Sequence, residues 1–179
     1  MKYFIFAYLL VFSAVSNAET LREQFLKSGH STPLIRDKSR SNDEVSSDKH
    51  GIQQVMVETS ACFGNCPEYS ISISADGMVE YIGYKNVEFI GSRIGHIDNW
   101  RIRPLFQFIN DSKYFSMQYE YKRGITDHSS VYTMVKKASG ESKIIRNYAN
   151  SGPSSLWAIE ELVEATAKNA KWQDQQNKN

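Results

Sequence analysis

The alternation of hydrophobic and polar residues between positions 53 and 90 predicts four short β-strands. The clearest is residues 69–75, where apolar residues alternate with serines, as on a half-buried strand. The others lie around Val55 and Val57, at residues 78–84 and at residues 87–90, where Gly91 and Gly95 end the last one. Between the second and third strands, Asp76-Gly77 predicts a type I′ hairpin turn, which needs positive φ at both central residues.

A helical spacing of apolar residues replaces the alternation near residue 98. Asp98 is the predicted N-cap, although Pro104 leaves open a start nearer Arg103, with the proline in the first turn. The apolar residues fall at i, i+3, i+4 and i+7 on one helix face: Ile102, Leu105, Phe106 and Ile109.

A second pair of strands and a second helix complete the pattern. Ser130–Lys137 and Ser142–Tyr148 flank the turn Ser139-Gly140, and Pro153 opens the helix. One side of this helix is predicted to be apolar through Leu156, Ile159, Leu162, Val163 and Ala167. The order ββββαββα predicts an α+β fold, an antiparallel sheet of about five to six strands with two helices packed on one face.

The first 18 residues have the pattern of a secretory signal peptide. Met1-Lys2 supplies a charged start, an uncharged apolar run follows, and Ser16-Asn17-Ala18 supplies the small residues of a cleavage site. A membrane anchor is the alternative, but the run is shorter than the roughly 20 residues that span a bilayer. We therefore expect cleavage after Ala18 and a periplasmic or secreted protein.

The remaining chain divides into three predicted regions. Residues 19–52 are mostly polar and are predicted to be a mobile linker, in which Leu21, Phe25 and Leu26 could form one face of a short helix. Residues 53–172 form a single domain, and residues 173–179 are a frayed tail.

The charge balance excludes some classes of partner. Cleavage after Ala18 leaves 161 of the 179 residues, with 20 basic and 20 acidic side chains once Lys2 is removed. Nucleic acids and anionic membranes attract a basic field, which this balance does not provide. We expect neither partner, and no membrane span after the signal is removed.

Cys62 and Cys66 are the only cysteines, and export would place them in an oxidising compartment. A structural disulfide is the favoured interpretation, and thiol–disulfide exchange or metal binding are the alternatives. A reactive thiol usually lies near a cation or a helix N-terminus, whereas the nearest charges here are Glu58 and Glu68. Gly64 gives the small ring the backbone freedom it needs.

Other candidate sites have simpler interpretations. His96 and His128 in the domain, with His30 and His50 in the linker, show no paired spacing for a zinc site. Asp127-His128-Ser129 has the residue types of a catalytic triad, but sequence neighbours rarely adopt triad geometry. Asp76 is best interpreted as a turn residue. We therefore predict no catalytic residue, metal site or cofactor.

The best surface candidate is a cluster of aromatic and basic residues between the first helix and the second strand pair. Exposed tyrosines beside cations favour an envelope glycan or peptide as partner. The competing interpretation is that the rings are half-buried in the fold. The cluster consists of Tyr119, Tyr121, Lys122 and Arg123.

The run Thr59–Ser70, with C-F-G-N-C-P-E-Y inside it and Asp76-Gly77 after it, resembles an uncharacterised bacterial family of exported domains. That family carries C-[FY]-G-x-C-P-x-Y followed by a strand and an Asp-Gly turn. Thr126-Asp127, Pro153 and Trp172 are also similar, so the resemblance covers roughly residues 53–172. Relatives carry an arginine where this chain has Thr59. The resemblance implies an exported domain and no assigned activity.

Together these observations predict an exported domain with a non-catalytic binding or envelope-structural role. A periplasmic thiol–disulfide protein using Cys62 and Cys66 is one alternative. A metal-binding domain is the other.

Overall fold

The computed structural model describes residues 19–28 and 51–173. The strands are β1 Ile52–Thr59, β2 Glu68–Ser74, β3 Met78–Lys85, β4 Gly91–His96, β5 Glu120–Tyr121, β6 Ser130–Lys137, β7 Ser142–Tyr148 and β8 Lys171–Trp172. The helices are α1 Leu21–Lys27, α2 Asn99–Asp111 and α3 Ser154–Ala167, with a 3₁₀ turn at Tyr114–Ser116. None of the helices in these two ranges is long and apolar enough to cross a membrane.

The described strands form one eight-stranded sheet in the order β5-β7-β6-β1-β2-β3-β4-β8. The fold is α+β as predicted, but the prediction of five to six antiparallel strands is wrong. β5 and β8 were missed because each is two residues long, too short for an alternating pattern to show. β5 also pairs with β7 in parallel, whereas the other pairs are antiparallel.

The main core lies between the sheet and the two longer helices. α2 contributes the four apolar residues that its spacing predicted, and all are buried. α3 contributes Leu156, Ile159, Val163 and Ala167. These side chains pack on the inward residues of β1, β2, β6 and β7, such as Val55, Ile73, Val135 and Ile145.

A third helix, α1, packs on the opposite face of the sheet, which we call the outer face. Leu21 and Phe25 are buried there against Tyr132, while Leu26 is 66% exposed. The region predicted as a linker therefore begins with a packed helix. The rest of that region, residues 29–50, and the predicted signal peptide lie outside the described residues.

The fourth strand was placed at residues 87–90, and this prediction is wrong: the strand is Gly91–His96. Residues 87–90 instead fold back over Gly83, where an added Cβ would lie 1.9 Å from the carbonyl oxygen of Phe89. Val87 and Phe89 are half-buried and alternate with the exposed Glu88 and Ile90, because the segment packs as a loop against the sheet.

The first hairpin differs from the predicted type I′ turn. The Gly77 N–H donates to the Ser74 carbonyl at 3.0 Å, so Ala75 and Asp76 are the central residues of the turn. Gly77 has φ +94°, whereas Asp76 is not among the residues with positive φ. The loop is therefore a three-residue connection whose last position needs glycine.

Three details of the helices also correct the sequence interpretation. α2 begins at Asn99 and contains Pro104 in its interior, so the alternative start near Arg103 is wrong. Asp98 is at the N-cap position, but its side chain makes no capping hydrogen bond. On α3, Leu162 is 37% exposed, and Glu160 occupies a buried position instead.

Candidate functional site

The two cysteines lie in the connection between β1 and β2. Their sulfur atoms are at disulfide-bonding distance, and their Cα atoms are 5.7 Å apart. Thr59 closes the neck of this loop, because its hydroxyl donates to the Pro67 carbonyl at 2.8 Å and accepts from the Tyr69 N–H at 3.1 Å. Thr59, which stands where the resembled family carries an arginine, thus has a structural role in this chain.

The cysteine loop contacts two other connections at the same end of the sheet. The Phe63 N–H donates to the Asp127 carbonyl at 3.2 Å, and the Asn86 side chain donates to the Cys66 carbonyl at 3.1 Å. We call loops 60–67, 86–90 and 122–129 together the cysteine end. The structure therefore joins the cysteine motif to Thr126-Asp127, about 60 residues later in the sequence.

The cysteine end exposes apolar side chains. Phe63 is 89% exposed and projects from the loop, and Ile125 is 44% exposed on the neighbouring loop. The loop backbone is nonetheless constrained by the cysteine pair and by hydrogen bonds at both ends. Because the loop that carries the Phe63 ring is already constrained, binding a partner through this ring would cost little conformational entropy of the loop.

The predicted cluster at residues 119–123 is only partly assembled. Tyr119 packs against the α1 cluster, whereas Tyr121 packs against the main core, so the two half-buried rings do not share one surface. Lys122 is exposed and lies 3.4 Å from the Glu120 carboxylate, and Arg123 is exposed. Lys122 and Arg123 open the 122–129 loop, so these two residues belong to the cysteine end.

The described residues considered for metal or triad chemistry do not form a metal-binding group, and His30 and His50 lie outside the described residues. Among the described residues, no group of three or more histidine, cysteine, aspartate or glutamate side chains could hold a metal ion. His128 packs edge-on against Tyr148, with ring centroids 6.4 Å apart. The Asp76 carboxylate accepts the Met78 N–H at 3.1 Å, which agrees with a turn role.

The carboxyl group with the most perturbed pKa was not singled out from the sequence. Glu160 is 4% exposed, and its oxygens accept hydrogen bonds from Asn147 Nδ2 at 3.0 and 3.2 Å and from Thr133 Oγ1 at 3.3 Å. Burial raises the pKa of Glu160 to about 7, although these hydrogen bonds act in the opposite direction. Its burial could have been predicted from the sequence, because Glu160 lies four residues after Leu156 and three before Val163, on the buried side of α3.

A buried lysine was also missed. Lys143 is 6% exposed, and its ammonium group donates to the carbonyls of Phe115 and Met117 and lies 4.3 Å from the Tyr119 ring centroid. Burial lowers the pKa of Lys143. These contacts anchor the segment after α2, which explains why Tyr119 is not free for a partner.

Arg93 is held in an aromatic stack near the C-terminal strand. Its guanidinium carbon lies 3.9 Å from the Trp172 ring centroid, 4.8 Å from that of Phe89 and 4.9 Å from that of Tyr81. The stack attaches β8 to the edge of the sheet. These contacts give Trp172 a structural role. From the sequence, Trp172 was notable only because it is similar to the resembled family.

Comparison with known proteins identifies a family for the larger part of the chain. No curated protein matches the chain. Residues 53–167, more than half of the chain, match the family described as a domain of unknown function, DUF6438. This agrees with the expectation of an uncharacterised domain family. The chain therefore belongs to the DUF6438 family.

Proposed function

We propose that this protein is an exported, non-catalytic domain that binds an envelope glycan or peptide through its cysteine end. The observation that carries the proposal is Phe63, an aromatic ring 89% exposed on a constrained loop. Such a ring adds little to the core, whereas aromatic residues on rigid supports commonly dominate binding energy. The 122–129 loop, which the Phe63–Asp127 hydrogen bond joins to the cysteine loop, adds exposed apolar and cationic side chains at Ile125, Lys122 and Arg123.

A non-catalytic role is supported by where the ionisable groups lie. The carboxyl group with a pKa near 7, Glu160, is enclosed between α3 and the sheet and is hydrogen-bonded to protein groups. Loop 60–67 contains no charged residue. Loop 60–67 thus offers contact surface and hydrogen bonds but no acidic or basic side chain of its own.

Thiol–disulfide exchange by Cys62 and Cys66 is the second candidate, favoured only by the position of the pair at the surface. Within the described residues, no lysine or arginine forms a hydrogen bond or ion pair with loop 61–66, and the loop connects two strands. The groups that usually lower a thiol pKa are therefore missing from these contacts. A structural bond that shapes the loop is the better interpretation.

The test compares two exposed aromatic residues at opposite ends of the sheet. Phe63→Ser changes the cysteine end, and Trp100→Ser changes the start of α2, where Trp100 is 62% exposed. We expect Phe63→Ser to weaken retention on purified peptidoglycan and envelope membranes by about tenfold or more, as loss of a central aromatic contact does. Trp100→Ser should be retained like the wild type, with both melting temperatures unchanged. Equal retention of the two variants would contradict the proposal.

A further inference from the structure

The outer face of the sheet carries a groove that is separate from the cysteine end. It has a volume of about 380 Å³ and runs over β7, β6, β1, β2 and β3 beside α1. Leu21 and Gln24 of α1 form one wall, and Met56 and Ile82 line the sheet side. Gln54, Glu80 and Lys136 also line an adjoining hollow toward the Asp76-Gly77 turn, so the two form one trough.

The groove is concave because its central strand carries small residues. Ser70 and Ser72 of β2 form the floor, while longer side chains rise from the flanking strands. These serines are 3% and 6% exposed although they face away from the main core. Gln54 Nε2 donates to Ser72 Oγ at 2.7 Å, which fixes one side of the floor.

Ser70 offers a hydrogen-bonding group to the groove. No hydrogen bond to its hydroxyl is found within residues 19–28 and 51–173, and the oxygen is not fully enclosed, so it is open to the groove. A hydroxyl in such a position can bond a polar group of a ligand in place of water.

Two opposite charges lie on either side of the floor. Lys136 is opposite Gln54 on β1, and Glu80 is opposite Ser72 on β2, so three strand spacings separate them. At about 4.8 Å per strand, with a two-residue offset, their Cα atoms are roughly 15 Å apart. Neither forms an ion pair among the described residues, whereas Glu19 of the α1 wall pairs with Lys27.

We propose that this groove binds a short extended peptide with free ends, its ammonium group at Glu80 and its carboxylate at Lys136. An extended peptide of four residues spans about 14 Å, which matches the separation of the charges. Small side chains fit over the serine floor, and the peptide backbone can reach the Ser70 hydroxyl. Among the described residues, the lining side chains include methionine and isoleucine but no aromatic ring on which a sugar could stack.

The proposal goes beyond the family assignment, because α1 lies outside the matched residues 53–167. One wall of the groove therefore comes from a segment that the family match does not include. The site is also independent of the cysteine end, so Phe63→Ser should bind the peptide as the wild type does.

The test titrates the purified protein with tetra-alanine, using calorimetry and amide chemical shifts. We expect shifts at Ser70 and Ser72, and affinity at least about tenfold weaker for tetra-alanine acetylated and amidated at its ends. Glu80→Lys and Lys136→Glu should each weaken binding to a similar degree. The double variant Glu80→Lys/Lys136→Glu should recover affinity to within about threefold, because the peptide can bind in the opposite direction.

Melting temperatures confirm that the variants fold, since Glu80 is exposed and Lys136 half-buried. Several results would overturn the proposal: no shifts at Ser70 or Ser72 with millimolar peptide, equal binding of the blocked peptide, or a double variant as weak as the singles. Shifts at the same serines with a disaccharide but not with tetra-alanine would replace the peptide by a glycan.

Discussion

Glu160 shows how one buried side chain joins α3 to the centre of the sheet. Its carboxyl group meets Thr133 of β6 and Asn147 of β7, and Asn147 Oδ1 accepts the Gly152 N–H at 2.9 Å. Glu161 and Glu164 on the same helix add smaller contributions that raise the pKa further. The carboxyl group thus keeps its proton until the pH approaches about 7, well above the range in which an exposed glutamate loses it.

The raised pKa of Glu160 predicts a pH-dependent stability. Because the folded protein binds this proton more tightly than the unfolded chain, the free energy of unfolding should fall as pH rises from about 4.5 to 7, by about 3 kcal/mol. Glu160→Gln keeps the shape and removes the titration, so this part of the pH dependence should disappear in urea unfolding. Exposed Glu88→Gln is the control and should follow the wild type, because Glu88 does not contribute to the pKa of Glu160. A Glu160→Gln profile parallel to that of the control would show that Glu160 does not titrate in this range.

At the scale of elements, the β2–β3 hairpin depends on one glycine. Gly77 has φ +94°, and an added Cβ would lie 2.6 Å from both the Ile97 carbonyl oxygen and His96 Nε2. The Ile97 N–H also donates to the Gly77 carbonyl at 2.8 Å, so the turn is attached to the segment before α2. The hairpin and the helix entry are thus one packed unit.

Substitution at this turn should separate backbone strain from side-chain chemistry. Gly77→Val combines positive φ with a backbone collision, and we expect it to lower the free energy of unfolding by about 2–4 kcal/mol. Asp76→Asn keeps the acceptor for the Met78 N–H and should be nearly neutral. Chemical denaturation measures both, and an unchanged midpoint for Gly77→Val would refute the strain argument.

On the scale of the whole molecule, the sheet separates two faces with different roles. The inner face carries α2, α3 and the main core, and the outer face carries α1 and the groove. The cysteine end lies beyond both, built from loops that the sheet brings together. The cysteine pair therefore shapes a surface, and the core supplies the stability.

This arrangement predicts a limited role for the cysteine pair in folding. Protein exported by the cell should contain no free thiol and be about 2 Da lighter than its reduced form. Cys62→Ser/Cys66→Ser should still fold, losing at most about 2 kcal/mol because the closed loop is only five residues long. Mass spectrometry and thermal melting test these outcomes. Free thiols in the exported protein, or failure of the double variant to fold, would refute this assignment.

The sequence by itself determined the local elements of this protein. Alternation located β1, β2, β3, β6 and β7, and the 3.6-residue period located α2 and α3, because these patterns repeat within one element. It also marked the two cysteines, whose short spacing makes them neighbours in almost any fold. The strand prediction at residues 87–90 was wrong, because the residues of a loop packed on a sheet can also alternate between buried and exposed positions.

Only the tertiary structure decided what these elements place together. β5 and β8 form because β7 and β4 each offer them a strand edge to pair with. A strand of two residues is too short to show an alternating pattern in the sequence. The contact of Phe63 with Asp127, the burial of Glu160 and the groove over Ser70 and Ser72 each join elements distant in sequence. Their physical basis is the pairing order and register of the sheet, which arise from packing the whole chain at once.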